Sequence, residues 1–141
     1  MRAFLSLSFI ALFLCLASCG SEEEEFLTPL VGTWESSTVT AANCTDPDEN
    51  GTITCSNTYC IRVTINSDGT YTLNNNLDDP PSTESGNITA TSSTISMCES
   101  GNSNCGDADT NTYSLSGGKL SVTFTDDDSP GCNFTATFDK K

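Results

Sequence analysis

Between residues 119 and 125, and again between 132 and 139, apolar and polar side chains alternate without a break. Leu120, Val122 and Phe124 stand against Ser121 and Thr123; Phe134, Ala136 and Phe138 stand against Asn133, Thr135 and Thr137. Residues 59–66 repeat the pattern, with Ile61, Val63 and Ile65 on one face and Arg62 and Thr64 on the other. A period of two means an extended strand with one face on a core and the other in water. No stretch after Pro29 carries apolar residues at sustained helical spacing, and turn-forming residues recur at short intervals. The chain therefore reads as all-β.

Eight strands are expected, at residues 32–41, 59–66, 70–74, 86–90, 94–97, 111–115, 119–125 and 132–139. Ser67-Asp68-Gly69 and Ser116-Gly117-Gly118 supply tight turns, because glycine takes the positive φ that two-residue hairpins need. A short helical turn is expected at residues 26–30. Sequential hairpins predict an up-and-down antiparallel meander, and eight strands can close into a barrel with no free edges. In such a barrel the connections alternate between two ends. The short ones (67–69, 91–93 and 116–118) share one end. The long ones share the other, with Asp46, Asp48, Glu49, Asp78, Asp79, Glu84, Glu99, Asp107, Asp109 and Asp126 to Asp128. One bland, closed end and one acidic mouth follow.

The N-terminus is of another kind. Met1-Arg2 gives a positive start, and residues 3–16 form an apolar run too short for the roughly 20 residues of a membrane span. Leu16-Ala17-Ser18-Cys19 resembles the lipobox of bacterial lipoproteins. That resemblance implies a signal peptide at residues 1–18, cleavage before Cys19, and acylation of Cys19 on its sulfur and new amine, which includes palmitate. It places the protein at the outer membrane, lipid-anchored at the cell surface; multiple acyl chains exceed what stable anchoring requires. Glu22-Glu23-Glu24-Glu25 resembles the acidic surface-export tag of many Bacteroidetes lipoproteins; equally, it reads as a solvated spacer. Residues 19–29 are thus an acidic tether and residues 30–141 one barrel domain.

Past residue 18 the chain has 4 Lys and Arg against 19 Asp and Glu, a net charge of −15. This balance repels nucleic acid and favours cations or basic partners. Histidine is absent throughout, which removes the usual general base, nucleophile activator and metal ligand. Six cysteines remain after Cys15 and Cys19: Cys44, Cys55, Cys60, Cys98, Cys105 and Cys132. An even number in an exported chain implies disulfides. All six lie at or beside the mouth connections. The expected pairing is Cys98 with Cys105, one bridge within residues 44–60, and one from there to Cys132.

Gly32-Thr33-Trp34, preceded by Leu30-Val31, together with Ser67-Asp68-Gly69-Thr70-Tyr71, resembles the signatures of the short lipocalin-like lipoproteins of Bacteroidetes. The resemblance implies a lipocalin-like barrel with Gly32 and Trp34 at its base. The last strand carries no Arg to cover the Trp34 ring; Lys140 is the nearest cation. Trp34, Ile61, Val63, Tyr71, Tyr113, Phe124 and Phe134 are the expected lining of a ligand pocket.

Asp46-Pro47-Asp48-Glu49-Asn50-Gly51 matches the first half of a calcium-loop pattern, which makes Asp46, Asp48 and Asn50 candidate metal ligands. Position twelve is Asn57 rather than Glu, and the other reading is a solvated Asx-rich turn. Catalysis is not expected: the serines lack a histidine and a Gly-x-Ser-x-Gly elbow, and the acids lie in polar loops. Apart from that calcium reading no cofactor is expected. The expected function is a monomeric, lipid-anchored envelope protein binding a small apolar or cationic ligand at an acidic mouth. The alternative is a filled-barrel surface or structural protein that meets other macromolecules.

Overall fold

All eight expected strands are present, and each pairs antiparallel with the next. The computed structural model describes residues 22–55, 59–101, 109–125 and 131–141. The strands are β1 (Gly32–Ala42), β2 (Gly51–Thr54), β3 (Ile61–Ile65), β4 (Thr70–Asn75), β5 (Ser82–Ala90), β6 (Thr94–Glu99), β7 (Asp109–Ser116), β8 (Lys119–Phe124) and β9 (Asn133–Lys140). The ladder from β3 to β9 is closed by pairing β1 with both β3 and β9. The result is a closed eight-stranded antiparallel barrel with one added strand, β2. Its short connections behave as their residues require: Gly69 (φ +77°), Gly117 (φ +60°) and Gly118 (φ +76°) all take left-handed conformations.

Strand β2 is the element that alternation does not reveal. All four of its residues are exposed, so it has no buried face to leave a period of two. It forms because β1 is longer than β3. Residues 32–35 of β1 pair with β3, whereas residues 38–41 pair with β2 on the same edge. The β-branched run Thr52-Ile53-Thr54 suits that vacancy.

The change of partner occurs at Ser36 and Ser37. Here the β1–β9 register slips by one residue, a β-bulge. The bulge resets the inward face: Trp34 and Ser36 are buried before it, and Val39 after it. Ser36 is only 4 % exposed. Its Oγ accepts a hydrogen bond from the Ile61 backbone N–H at 2.8 Å, and the Ser37 carbonyl accepts one from the Cys55 N–H at 2.9 Å. A hydroxyl thus supplies the acceptor that strand pairing lacks where β3 begins.

The closed end is plugged. Helix α1 (Glu22–Leu27) leads into a 3-10 turn (Thr28–Leu30), and Phe26 and Leu27 pack against the core. Residues 22–27 of the expected tether are helical, with Phe26 and Leu27 against the barrel core. Leu30 and Trp34 are fully buried; the Trp34 indole N–H donates to the Leu30 carbonyl at 2.7 Å. Lys140 Nζ lies 5.1 Å from the centre of the Trp34 ring, within cation–π range. On the outer face, paired hydroxyls cross the ladder, as in Thr33–Thr64 (3.2 Å) and Thr40–Thr52 (3.0 Å).

Removing the Ser36 hydroxyl leaves the buried Ile61 N–H without an acceptor. Ser36→Ala is expected to lower stability by about 1–3 kcal/mol, read as a lower urea midpoint with an unchanged slope; an unchanged midpoint would show that the partner switch does not need Ser36.

Candidate functional site

The barrel is not filled. A cavity of about 290 Å³ runs through its interior toward the mouth. Its floor is Ile65, Ile95, Leu120 and Phe138, and its walls carry Val63, Leu73, Ile88, Met97 and Val122. These are the inward members of the alternating strands. Nearer the mouth the lining turns polar, with Asn75, Glu84, Thr110, Asn111 and Thr125 beside Ile61 and Phe124.

Of the seven residues expected to line a pocket, Ile61, Val63 and Phe124 do so. Trp34 belongs instead to the plug, where its indole N–H is satisfied by Leu30. Tyr71 is buried, 1 % exposed, and its hydroxyl donates to Glu84 Oε1. Phe134 stacks on Phe124 with ring centres 5.5 Å apart and planes inclined by 16°, so it backs the wall. The Tyr113 hydroxyl donates to the Thr91 carbonyl at 2.8 Å, toward the closed end, and burial raises its pKa.

Glu84 was expected at the mouth, yet it lies among the lining residues. The register explains this: Val63, Leu73 and Glu84 form one cross-strand row, one step in from Ile61, Asn75 and Ser82. The strand containing it starts at Ser82, four residues before the expected start; residues 82–85 are all polar and carry no alternation from which that start could be read. Gly86 faces Tyr71 across the ladder. A Cβ at Gly86 would lie 1.9 Å from the Cys98 carbonyl oxygen, so glycine there permits the close approach of β5 and β6.

The cations lie elsewhere. Arg62, Glu35, Asp139 and Lys119 form an outward row across β3, β1, β9 and β8. Arg62 Nε donates to Glu35 at 2.8 Å, and Lys141 reaches the same carboxylate at 3.0 Å. Lys119 pairs with Asp139 at 2.5 Å. The Arg62 guanidinium also covers the Tyr59 ring at 3.8 Å. Lys141, and then Arg62, hold the Glu35 carboxyl below its ordinary value of 4.5. Lys119 does the same for Asp139, and the Thr70 hydroxyl for Asp68, both below 3.8.

At the mouth, Cys44 bonds Cys132 and Cys55 bonds Cys60. One bridge is thus internal to residues 44–60 and one reaches Cys132, the expected scheme. The first joins the segments just beyond the last β1–β9 pair, Ala42 with Asn133. It closes a separation of 88 residues, a constraint of about 4–5 kcal/mol on chain-entropy grounds. The second, with a separation of five, ties β2 to β3 beside the partner switch. Cys98 is also disulfide-bonded; its expected partner Cys105 lies outside the described residues. So do Cys19, Asp107 and Asp126 to Asp128.

The candidate calcium loop folds as a capped 3-10 turn (Pro47–Glu49). Asp46 Oδ1 accepts from the Asp48 N–H at 3.0 Å, and Asn50 Oδ1 from the Cys44 N–H at 3.3 Å. Two of the three candidate ligands therefore direct an oxygen to backbone amides, as the Asx-turn reading expects. Nearby, Glu49 lies against the Cys44–Cys132 pair, but these sulfurs are bonded to each other and offer no thiolate.

No protein-family model, curated protein or solved structure matches this chain.

The charged row makes acid stability predictable. Glu35, Asp68 and Asp139 titrate lower when folded, so an unfolded chain binds their protons first. Their contribution is whole above about pH 4.5 and is lost as the pH falls through their depressed values. The urea midpoint is expected to decline below that pH, modestly, because all three carboxylates are exposed and solvent-screened. A Glu35→Gln, Asp139→Asn variant is expected to show a flatter decline.

Proposed function

We propose that this chain is a lipid-anchored protein of the bacterial cell envelope whose barrel binds a small ligand through its mouth without catalysing a reaction. On this reading residues 1–18 direct export, Cys19 carries the lipid, and the protein works as a monomer at the outer membrane, displayed on the cell surface. The observation that carries the binding role is the apolar cavity of about 290 Å³ inside a closed barrel. That volume is at the lower end of the roughly 300–1,000 Å³ usual for ligand pockets. Eight strands leave an interior that is either just filled or holds one small ligand, and here unfilled space remains. This weighs against the filled-barrel alternative.

The anchor rests on the lipobox-like Leu16-Ala17-Ser18-Cys19. Among the described residues no helix is long and apolar enough to cross a membrane. Helix α1 begins three residues after Cys19 and packs beside the closed end, with Leu27 near Gly69. A lipid on Cys19 would hold that end toward the bilayer and turn the mouth away from it. The lipocalin-like assignment rests on the Gly32-Thr33-Trp34 motif and the Ser67 to Tyr71 hairpin. The absence of histidine, with Ser36 engaged as a backbone acceptor, argues for binding over hydrolysis.

Two outcomes are expected. N-phenyl-1-naphthylamine, a small neutral fluorophore, gains fluorescence on mixing with the protein, and Leu73→Trp, which fills the cavity, removes the gain. No gain in the parent protein, or the same gain in the variant, counts against a cavity ligand. Separately, Cys19→Ala moves the protein from the membrane to the soluble fraction with its β-type circular dichroism intact; continued membrane association of that variant counts against the lipid anchor.

A further inference from the structure

Glu84 places a carboxylate in a cavity whose other lining residues are apolar or uncharged polar. Among the described residues no Lys or Arg lines the cavity. The reason is visible in the whole charge distribution. After Arg2 the sequence has four cations, and each has a partner outside the cavity. Arg62 and Lys141 hold Glu35, Lys119 holds Asp139, and Lys140 lies over Trp34 with its Nζ 3.5 Å from the Pro29 carbonyl. The described ion pairs leave Glu84 without a protein counter-charge.

Its position is nevertheless specified. The Tyr71 hydroxyl donates to Oε1, and the Tyr71 ring is held in the core at 1 % exposure. A carboxylate offers about four acceptor positions. The hydrogen bond from Tyr71 uses one, and the others remain for a ligand. Leu73 and Val63 share its cross-strand row, so the low-polarity wall beside Glu84 strengthens any charge interaction made there.

We infer that the cavity selects a ligand with a short apolar body and one ammonium group, the body lying on the apolar floor and the ammonium pairing with Glu84. This rests on the cavity-binding reading above and adds the ligand's charge. The acidic residues around the mouth would raise the local concentration of such a cation, while Glu84 supplies the contact.

The test compares hexylammonium with 1-hexanol, which share an apolar chain and differ in the charged head, by calorimetric titration of the full-length protein. The expected result is binding of both, with hexylammonium tighter by about tenfold, and loss of that preference in Glu84→Gln with hexanol affinity unchanged. Tyr71→Phe, which keeps the ring and frees the carboxylate, is expected to reduce the preference without abolishing it. Equal affinity for the two probes in the parent protein overturns the inference, and so does a preference that survives in Glu84→Gln; in both cases cavity binding itself still stands. Binding of neither probe overturns the cavity reading, and this inference with it.

Discussion

The barrel depends on one strand, β1, having more edge on one side than β3 can cover. β1 pairs along its length with β9 on one side, while its other side is divided between β3 and β2. Closure of the sheet, the extra strand and the two described disulfides all follow from that division. Ser36 and Ser37 stand at the junction, where a bulge turns the inward face from even to odd positions. Without a polar acceptor there, the start of β3 would bury an unpaired N–H, a cost that packing next to it does not offset.

The same topology separates charge from cavity. Most inward positions along the strands are apolar, and the few cations stand on outward positions or near the C-terminus. Cross-strand register then brings Arg62, Glu35, Asp139 and Lys119 into one belt over the closing seam. Each exposed pair in that belt contributes little by itself. Its larger consequence is to hold these cations on the outer surface, away from the cavity. The described acids of the mouth turns, Asp46, Asp48, Glu49, Asp78 and Asp79, are left without nearby cations. Glu84 adds a carboxylate inside the cavity.

Much of this was legible in the residues. The alternation at Ile61-Val63-Ile65, Leu120-Val122-Phe124 and Phe134-Ala136-Phe138 predicted strands that the structure contains. Glycines in the tight turns identified the hairpins. The cysteines' places along the meander predicted which chain segments the Cys44–Cys132 and Cys55–Cys60 bridges join. What escaped was whatever lacked a buried face. β2 is exposed along its whole length, and the first half of β5 has no alternation. Aromatic residues misled in a consistent way. Trp34, Tyr71 and Tyr113 were expected to line a pocket, but each carries a polar atom that must find a partner. The partners, Leu30, Glu84 and Thr91, took two of these groups toward the closed end and fixed the third beside a carboxylate.

By itself the sequence determined the fold class, the strand order and the opposed characters of the two ends, because these follow from local periodicity, turn chemistry and connection length. Only the tertiary structure decided where Glu84 lies, that the interior is unfilled, and that every described cation is engaged elsewhere. Those facts depend on register and on the sum of side-chain volumes across eight strands, and neither is encoded in any short stretch of chain.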